Sequence, residues 1–141
     1  MALIGLISDT HSYLDPAVFE HFKDCDEIWH IGDIGDRSVL DLLTSFKPVK
    51  AVFGNIETQE LRHELPEDLF FEIEGLKVFM THIGSLQGKY SARIKKNIKL
   101  YQPNLFICGH SHILRVIKDP ANNGMVYLNP GAAGKHGFHQ M

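Results

Sequence analysis

Residues 3–11, Leu-Ile-Gly-Leu-Ile-Ser-Asp-Thr-His, carry the pattern that decides the fold: an apolar run that stops on a polar turn. A continuous apolar stretch of this length fits a strand covered on both faces. The pattern recurs. Residues 27–31 run into Gly32-Asp33, 49–53 into Gly54-Asn55, 78–81 into His82, and 105–108 into Gly109-His110-Ser111-His112. Metal-seeking side chains therefore stand at strand ends, where polar residues usually line a site.

Between these runs the spacing changes to that of helices. Asp15-Pro16 suits a helix start, with Val18, Phe19 and Phe22 as its apolar face. Residues 37–46 place Val39, Leu42, Leu43 and Phe46 at helical spacing, and Pro48 stops the helix before the next strand. Alternating strand and helix predicts parallel strands with crossover helices. Beyond Asn55, residues 68–74 and 77–81 about Gly75 read as a hairpin, and residues 113–118 and 125–128 about Asn122-Asn123-Gly124 as a second. Residues 91–101 form a surface helix with Ile94, Ile98 and Tyr101 on one stripe.

At 141 residues and 44% hydrophobic, the chain can bury a real core, and one domain over residues 1–141 is expected. A formal charge of -3 gives no broad basic surface for non-specific binding to nucleic acid or anionic lipid. Two cysteines outside any CxxC spacing point to a reducing, cytoplasmic setting. The apolar run at the amino terminus ends at Ser8-Asp9, too early for a signal peptide, and no segment reaches the roughly 20 apolar residues of a membrane span. Of the nine histidines, His21, His63, His136 and His139 sit in polar stretches and read as solvated or loop residues.

The chemistry rests on seven residues. Asp9 and His11 lie two apart on one tight turn, so both can reach one cation. Gly32 lets the chain turn so that Asp33 projects past its strand, and Gly54-Asn55 has the same design with a neutral amide oxygen. His82 closes a further strand. His110 and His112, two apart, share a side and can address neighbouring cations. A turn aspartate or a hydrogen-bonded core histidine would explain any of these singly, but not all seven together.

Asp-x-His, Gly-Asp, Gly-Asn, His and Gly-His-x-His, in this order over residues 9–112, resemble the calcineurin-like metallophosphoesterase superfamily. Ile31-Gly32-Asp33, Phe53-Gly54-Asn55, Cys108-Gly109-His110-Ser111-His112 and Asn129-Pro130-Gly131 look most like its small YfcE-like phosphodiesterase branch, which also holds the retromer subunit of this fold. The resemblance implies an α/β (α+β) architecture: a four-layer αββα sandwich of two mainly mixed β-sheets flanked by helices. It further implies that Asp9, His11, Asp33 and His112 hold one divalent metal and Asp33, Asn55, His82 and His110 the other, with Asp33 as the bridge. The last four are the implied catalytic set. Mixed oxygen and nitrogen donors suit manganese, iron, zinc, nickel or cobalt better than calcium, with manganese the first expectation. Two such cations about 3.5 to 4 Å apart can hold a bridging hydroxide and clamp a phosphoryl oxygen for in-line attack. Two dications, two aspartates and one hydroxide leave one positive charge, the complement of a phosphodiester.

The sequence also departs from that family. Ile56 stands where the phosphatase branch has a histidine thought to protonate the leaving group, and isoleucine cannot donate a proton. Glu57 is read as orienting the Asn55 loop, against the plainer reading of a helix-start carboxylate. Ile83 replaces a glycine and narrows the pocket. The sequence stops ten residues after Asn129-Pro130-Gly131, where relatives continue through further strands, so either it is cut short there or one sheet is short. His30 reads as a core histidine and not a site residue. The function expected is a dinuclear metal-dependent phosphodiesterase acting on a small phosphoester or nucleotide. The alternatives are a non-catalytic protein-interaction scaffold on the same fold, and a single structural metal. Pocket walls are expected from residues 84–89 and 131–137.

Overall fold

The structure, a computed structural model, describes residues 2–86 and 89–133, so His136, His139 and parts of both expected pocket loops lie outside the described residues. Strands β1 (Ile4–Ile7), β2 (Glu27–His30) and β3 (Val49–Ala51) pair in parallel in the order β1-β2-β3. Helices α1 (Ala17–His21) and α2 (Arg37–Phe46) make the crossovers. The Asp36 side chain caps α2 at the Ser38 N–H. Its buried stripe is Val39, Leu40 and Leu43, whereas Leu42, read as core, is 50% exposed.

After β3, the short helix α3 (Gln59–Glu64), capped by Thr58, leads to the second sheet. That sheet is mixed: β4 (Asp68–Ile73), β5 (Leu76–Thr81), β8 (Leu105–Ile107), β9 (Arg115–Asp119) and β10 (Met125–Asn129), in the order β4-β5-β8-β10-β9. Strands β5, β8 and β10 run parallel to one another, and β4 and β9 are antiparallel edges. Between β5 and the surface helix α4 (Ala92–Tyr101) lies a small ribbon of β6 (Ser85–Leu86) and β7 (Lys89–Tyr90), where a loop was expected.

Three apolar clusters stack these layers. Ile7, Ile28, Leu43 and Leu61 join the first sheet to α2 and α3. Trp29, Val52, Met80 and Ile107 lie between the sheets, and Phe79, Phe106, Ile94 and Ile98 join the second sheet to α4. The result is the expected four-layer αββα sandwich, with a first sheet that is parallel throughout. Sheets built this way gather their functional loops at the carboxyl ends of the parallel strands. No helix among the described residues is long and apolar enough to cross a membrane.

Candidate metal centre

The seven expected residues come from five loops at those strand ends, and hydrogen bonds lock the loops together. After β1, the Asp9, His11 and Ser12 amides donate to the carbonyls of Gly32, Asp33 and Ile34 at 3.0, 2.9 and 2.8 Å. Across the sheets, the Gly109 amide donates to the His82 carbonyl at 2.8 Å and the Ala133 amide to the Ser8 carbonyl at 2.9 Å.

Asp9, His11, Asp33 and His112 each offer a donor atom within 4.8 Å of the others, and so do Asp33, His82 and His110. Asp33 belongs to both groups. Its Oδ2 lies 3.4 Å from His11 Nε2 of the first group and 3.2 Å from His82 Nε2 of the second. Asp9 is fully buried, and its Oδ2 accepts from the Ser8 hydroxyl at 2.6 Å and the His110 amide at 3.2 Å. Its Oδ1 accepts no hydrogen bond, although His112, His82 and His11 Nε2 stand 3.2, 3.7 and 3.9 Å away. An unsatisfied carboxylate oxygen ringed by imidazole nitrogens is costly unless a cation takes it. Donors about 2.1 Å from a shared cation sit at most about 4.2 Å apart, so both groups fit one with small shifts.

Asn55 completes the second group. Its Oδ1 lies 3.2 Å from each Asp33 carboxylate oxygen, 3.0 Å from His82 Nε2 and 3.1 Å from His110 Nδ1. An amide oxygen is the wrong atom among acceptors and the right one against a cation; the amide turned over would donate its NH2 there instead.

The imidazoles are set for the same task. His82 Nδ1 lies 2.8 Å from the Ile31 carbonyl, which fixes its proton there and leaves the Nε2 lone pair facing both aspartates. Burial alone would lower the His82 pKa, but the hydrogen bond and charge of Asp33, with Asp9, raise it above the ordinary value. A bound cation would reverse that preference, because a ligating imidazole is neutral. Burial pushes the Asp33 carboxyl up, and the His82 contact and charge with the Ile56 N–H bring it below its usual range. Burial and the neighbouring His82 lower His110.

The backbone is strained at these positions. Asp9, His11, Asp33, His110 and His112 have φ of 55, 48, 55, 68 and 63°, in the left-handed region that side chains other than glycine seldom occupy. Gly32 at φ 100° lies where a Cβ would approach His82 Nδ1 to 2.6 Å. At Gly54 a Cβ would collide with the backbone nitrogen of Asp33.

A supporting layer was only partly visible in the sequence. Glu57, 5% exposed, accepts from the amides of Asp33 at 2.9 Å, Gly35 at 3.1 Å and Gly54, joining the Gly-Asp and Gly-Asn turns. That is the orienting role expected, extended to a second loop. Asn129 Nδ2 donates to the Gly109 carbonyl at 3.0 Å and Ser111 Oγ at 2.9 Å, which holds the His110–His112 turn. In the sequence its one signal is the Asn129-Pro130-Gly131 motif. Ile56 donates its amide to Asp33 Oδ1 at 3.1 Å and leaves its apolar side chain 40% exposed.

His30 stays outside the site and braces it. The Thr10 hydroxyl donates to the Ile34 carbonyl at 2.9 Å, so His30 Nε2, 3.1 Å away, must donate to Thr10, while His30 Nδ1 accepts from the Gly32 amide at 3.1 Å. This fixes a neutral imidazole, and full burial lowers its pKa from 6.5 to about 3. The unfolded chain then binds a proton below pH 6.5 that the folded one refuses. The contribution to stability is complete above that pH and falls by about 1.4 kcal/mol per unit as pH drops toward 3. Urea unfolding should give about 2 kcal/mol less stability at pH 5 than at pH 7 from this residue. His30→Gln should flatten that slope, and an equal slope in both proteins would refute the assignment.

The family model described as the calcineurin-like phosphoesterase superfamily domain matches residues 2–141. A probable metallophosphoesterase of Methanothermobacter thermautotrophicus is 35% identical, over 92% of this chain and 76% of that one. Among solved structures, Vacuolar Protein Sorting 29 from Cryptosporidium parvum is similar with a TM-score of 0.76 at 20% identity, over 94% of this chain and 75% of that one. A novel archaeal phosphodiesterase is similar with a TM-score of 0.74 at 24% identity, over 92% and 83%. The structural likenesses speak for the fold, and the family match over residues 2–141 runs through every loop of the candidate metal centre. On these grounds the chain belongs to the calcineurin-like phosphoesterase superfamily.

Proposed function

We propose that the protein is a metal-dependent phosphodiesterase acting on a small phosphoester or nucleotide at a dinuclear centre. One observation carries this reading: two donor groups share Asp33, whose Oδ2 faces His11 on one side and His82 on the other. Two divalent cations, manganese by first expectation, would supply a hydroxide nucleophile and clamp the phosphoryl oxygens. Asp9, His11, Asp33 and His112 would hold the first, and Asp33, Asn55, His82 and His110 the second. The chain's own part is to fix these donors before substrate arrives, through Ser8, Glu57, Asn129 and the Ile31 carbonyl. The Ile56 side chain has no proton to give, so turnover favours esters whose alcohol leaves without one, p-nitrophenol among them.

A non-catalytic scaffold is the second reading, and the exposed, apolar Ile56 favours it. Hydrolysis of bis-p-nitrophenyl phosphate separates the two. Turnover is expected with manganese, lost on chelation and regained on adding the metal back. A protein that holds both metals by elemental analysis and still hydrolyses nothing would leave the scaffold reading in possession.

A further inference from the structure

Charge is unevenly spread over this protein. The chain carries a formal -3, yet the cleft beside Asn55 and His82 is lined, among the described residues, by the cations Arg62, Lys89 and Arg93 and by one carboxylate, Glu67. Its volume of about 520 Å³ is that of a small-ligand pocket. A cationic concavity on an acidic protein concentrates anions.

The three cations are not equally available. Arg93 is paired with Asp68 and lies 3.2 Å from Glu67, so its charge is answered within the protein. Arg62 donates Nε to the Glu57 carbonyl at 3.2 Å and Nη2 to the Asn55 carbonyl at 2.9 Å, over the Phe53 ring at 5.1 Å. A guanidinium has five N–H donors, so three remain, anchored beside the turn that presents Asn55. Lys89 is exposed and makes no ion pair or side-chain hydrogen bond among the described residues. Phe53 and Tyr90 give the cleft aromatic walls, and the Tyr90 hydroxyl is spent on Asp119 at 3.2 Å.

We propose that this cleft receives the organic half of the phosphoester, and that this half bears a second phosphate held by Lys89 and the unspent N–H groups of Arg62. The proposal rests on the phosphoesterase reading. Asn55 and His82 belong both to the second donor group and to the cleft wall, so a group attached to a phosphate at that centre extends into the cleft. Arg62 is a pre-set fork there, and Lys89 a mobile point charge that can reach an anion.

Two chromogenic esters isolate the second phosphate: thymidine 5′-(p-nitrophenyl phosphate) with and without a 3′-phosphate. The metal-loaded protein is expected to favour the 3′-phosphorylated ester about tenfold in kcat/KM, chiefly through KM, as one charge-assisted contact supplies. Lys89→Ala should bring the ratio of the two esters close to one, and Lys89→Arg should keep it. A ratio near one in the wild type, or an unchanged ratio in Lys89→Ala, overturns the proposal. Calorimetric titration with thymidine 3′,5′-bisphosphate and thymidine 5′-monophosphate reads the same preference without turnover. If neither ester is hydrolysed, the phosphoesterase reading fails alone. About tenfold tighter binding of the bisphosphate, lost in Lys89→Ala, still supports the cleft assignment, and equal binding overturns it.

Discussion

Asp33→Asn is expected to lower metal-dependent turnover by about a thousandfold or more and to weaken binding at both metals. Asparagine keeps the shape of the side chain and removes its charge. In this centre that charge sits between His11 of one donor group and His82 of the other, and Asp9 is the only other carboxylate in either group. His11→Ala removes a neutral donor from the first group alone, so it should cost about ten- to a hundredfold in affinity for one metal and spare its neighbour. Metal content by elemental analysis and stepwise titration distinguishes the two variants. Two equivalents bound with wild-type affinity by Asp33→Asn would remove the shared role.

The second large effect is on stability. Glu57→Ala should destabilise the protein by about 3 to 5 kcal/mol and lower its Tm by about 10 °C or more. The carboxylate is the acceptor for the amides of Asp33, Gly35 and Gly54, in two turns distant in sequence. Its loss strands donors inside the protein, where each costs about 1 to 3 kcal/mol. A carboxylate that merely favoured a helix start would cost about 0.3 to 1 kcal/mol. Thermal unfolding of metal-free protein therefore discriminates, and a loss below about 1 kcal/mol would reduce Glu57 to the lesser role.

The contrast between these two residues shows what the sequence could reveal. Asp33 was legible as a candidate because a glycine-aspartate pair after an apolar run is a local pattern, and so were the other six candidate donors and both hairpins. The limits of α2 were also legible, but not its buried stripe: Leu40 packs inward and Leu42 outward, because the helix turns one step further toward the sheet than its spacing implied. Helix α3 has no apolar period in the sequence, because this six-residue helix buries one residue, Leu61. The reach of Glu57 into the Asp33 turn, the grip of Asn129 on Gly109 and the bracing by His30 join distant segments. No local spacing encodes such pairings, so they appear only when the sheets are assembled.

The left-handed backbone at Asp9, His11, Asp33, His110 and His112 sets stability against the candidate metal centre. At His11 and His112, whose side chains are mostly buried, glycine would relax the backbone, so drift under selection for stability alone would erode these candidate donors. Five such positions that carry side chains in place of glycine cost backbone energy, a cost that bound cations would offset. A descendant that became a pure scaffold would be expected to lose His11 and His112 first, and to become more robust as it did so.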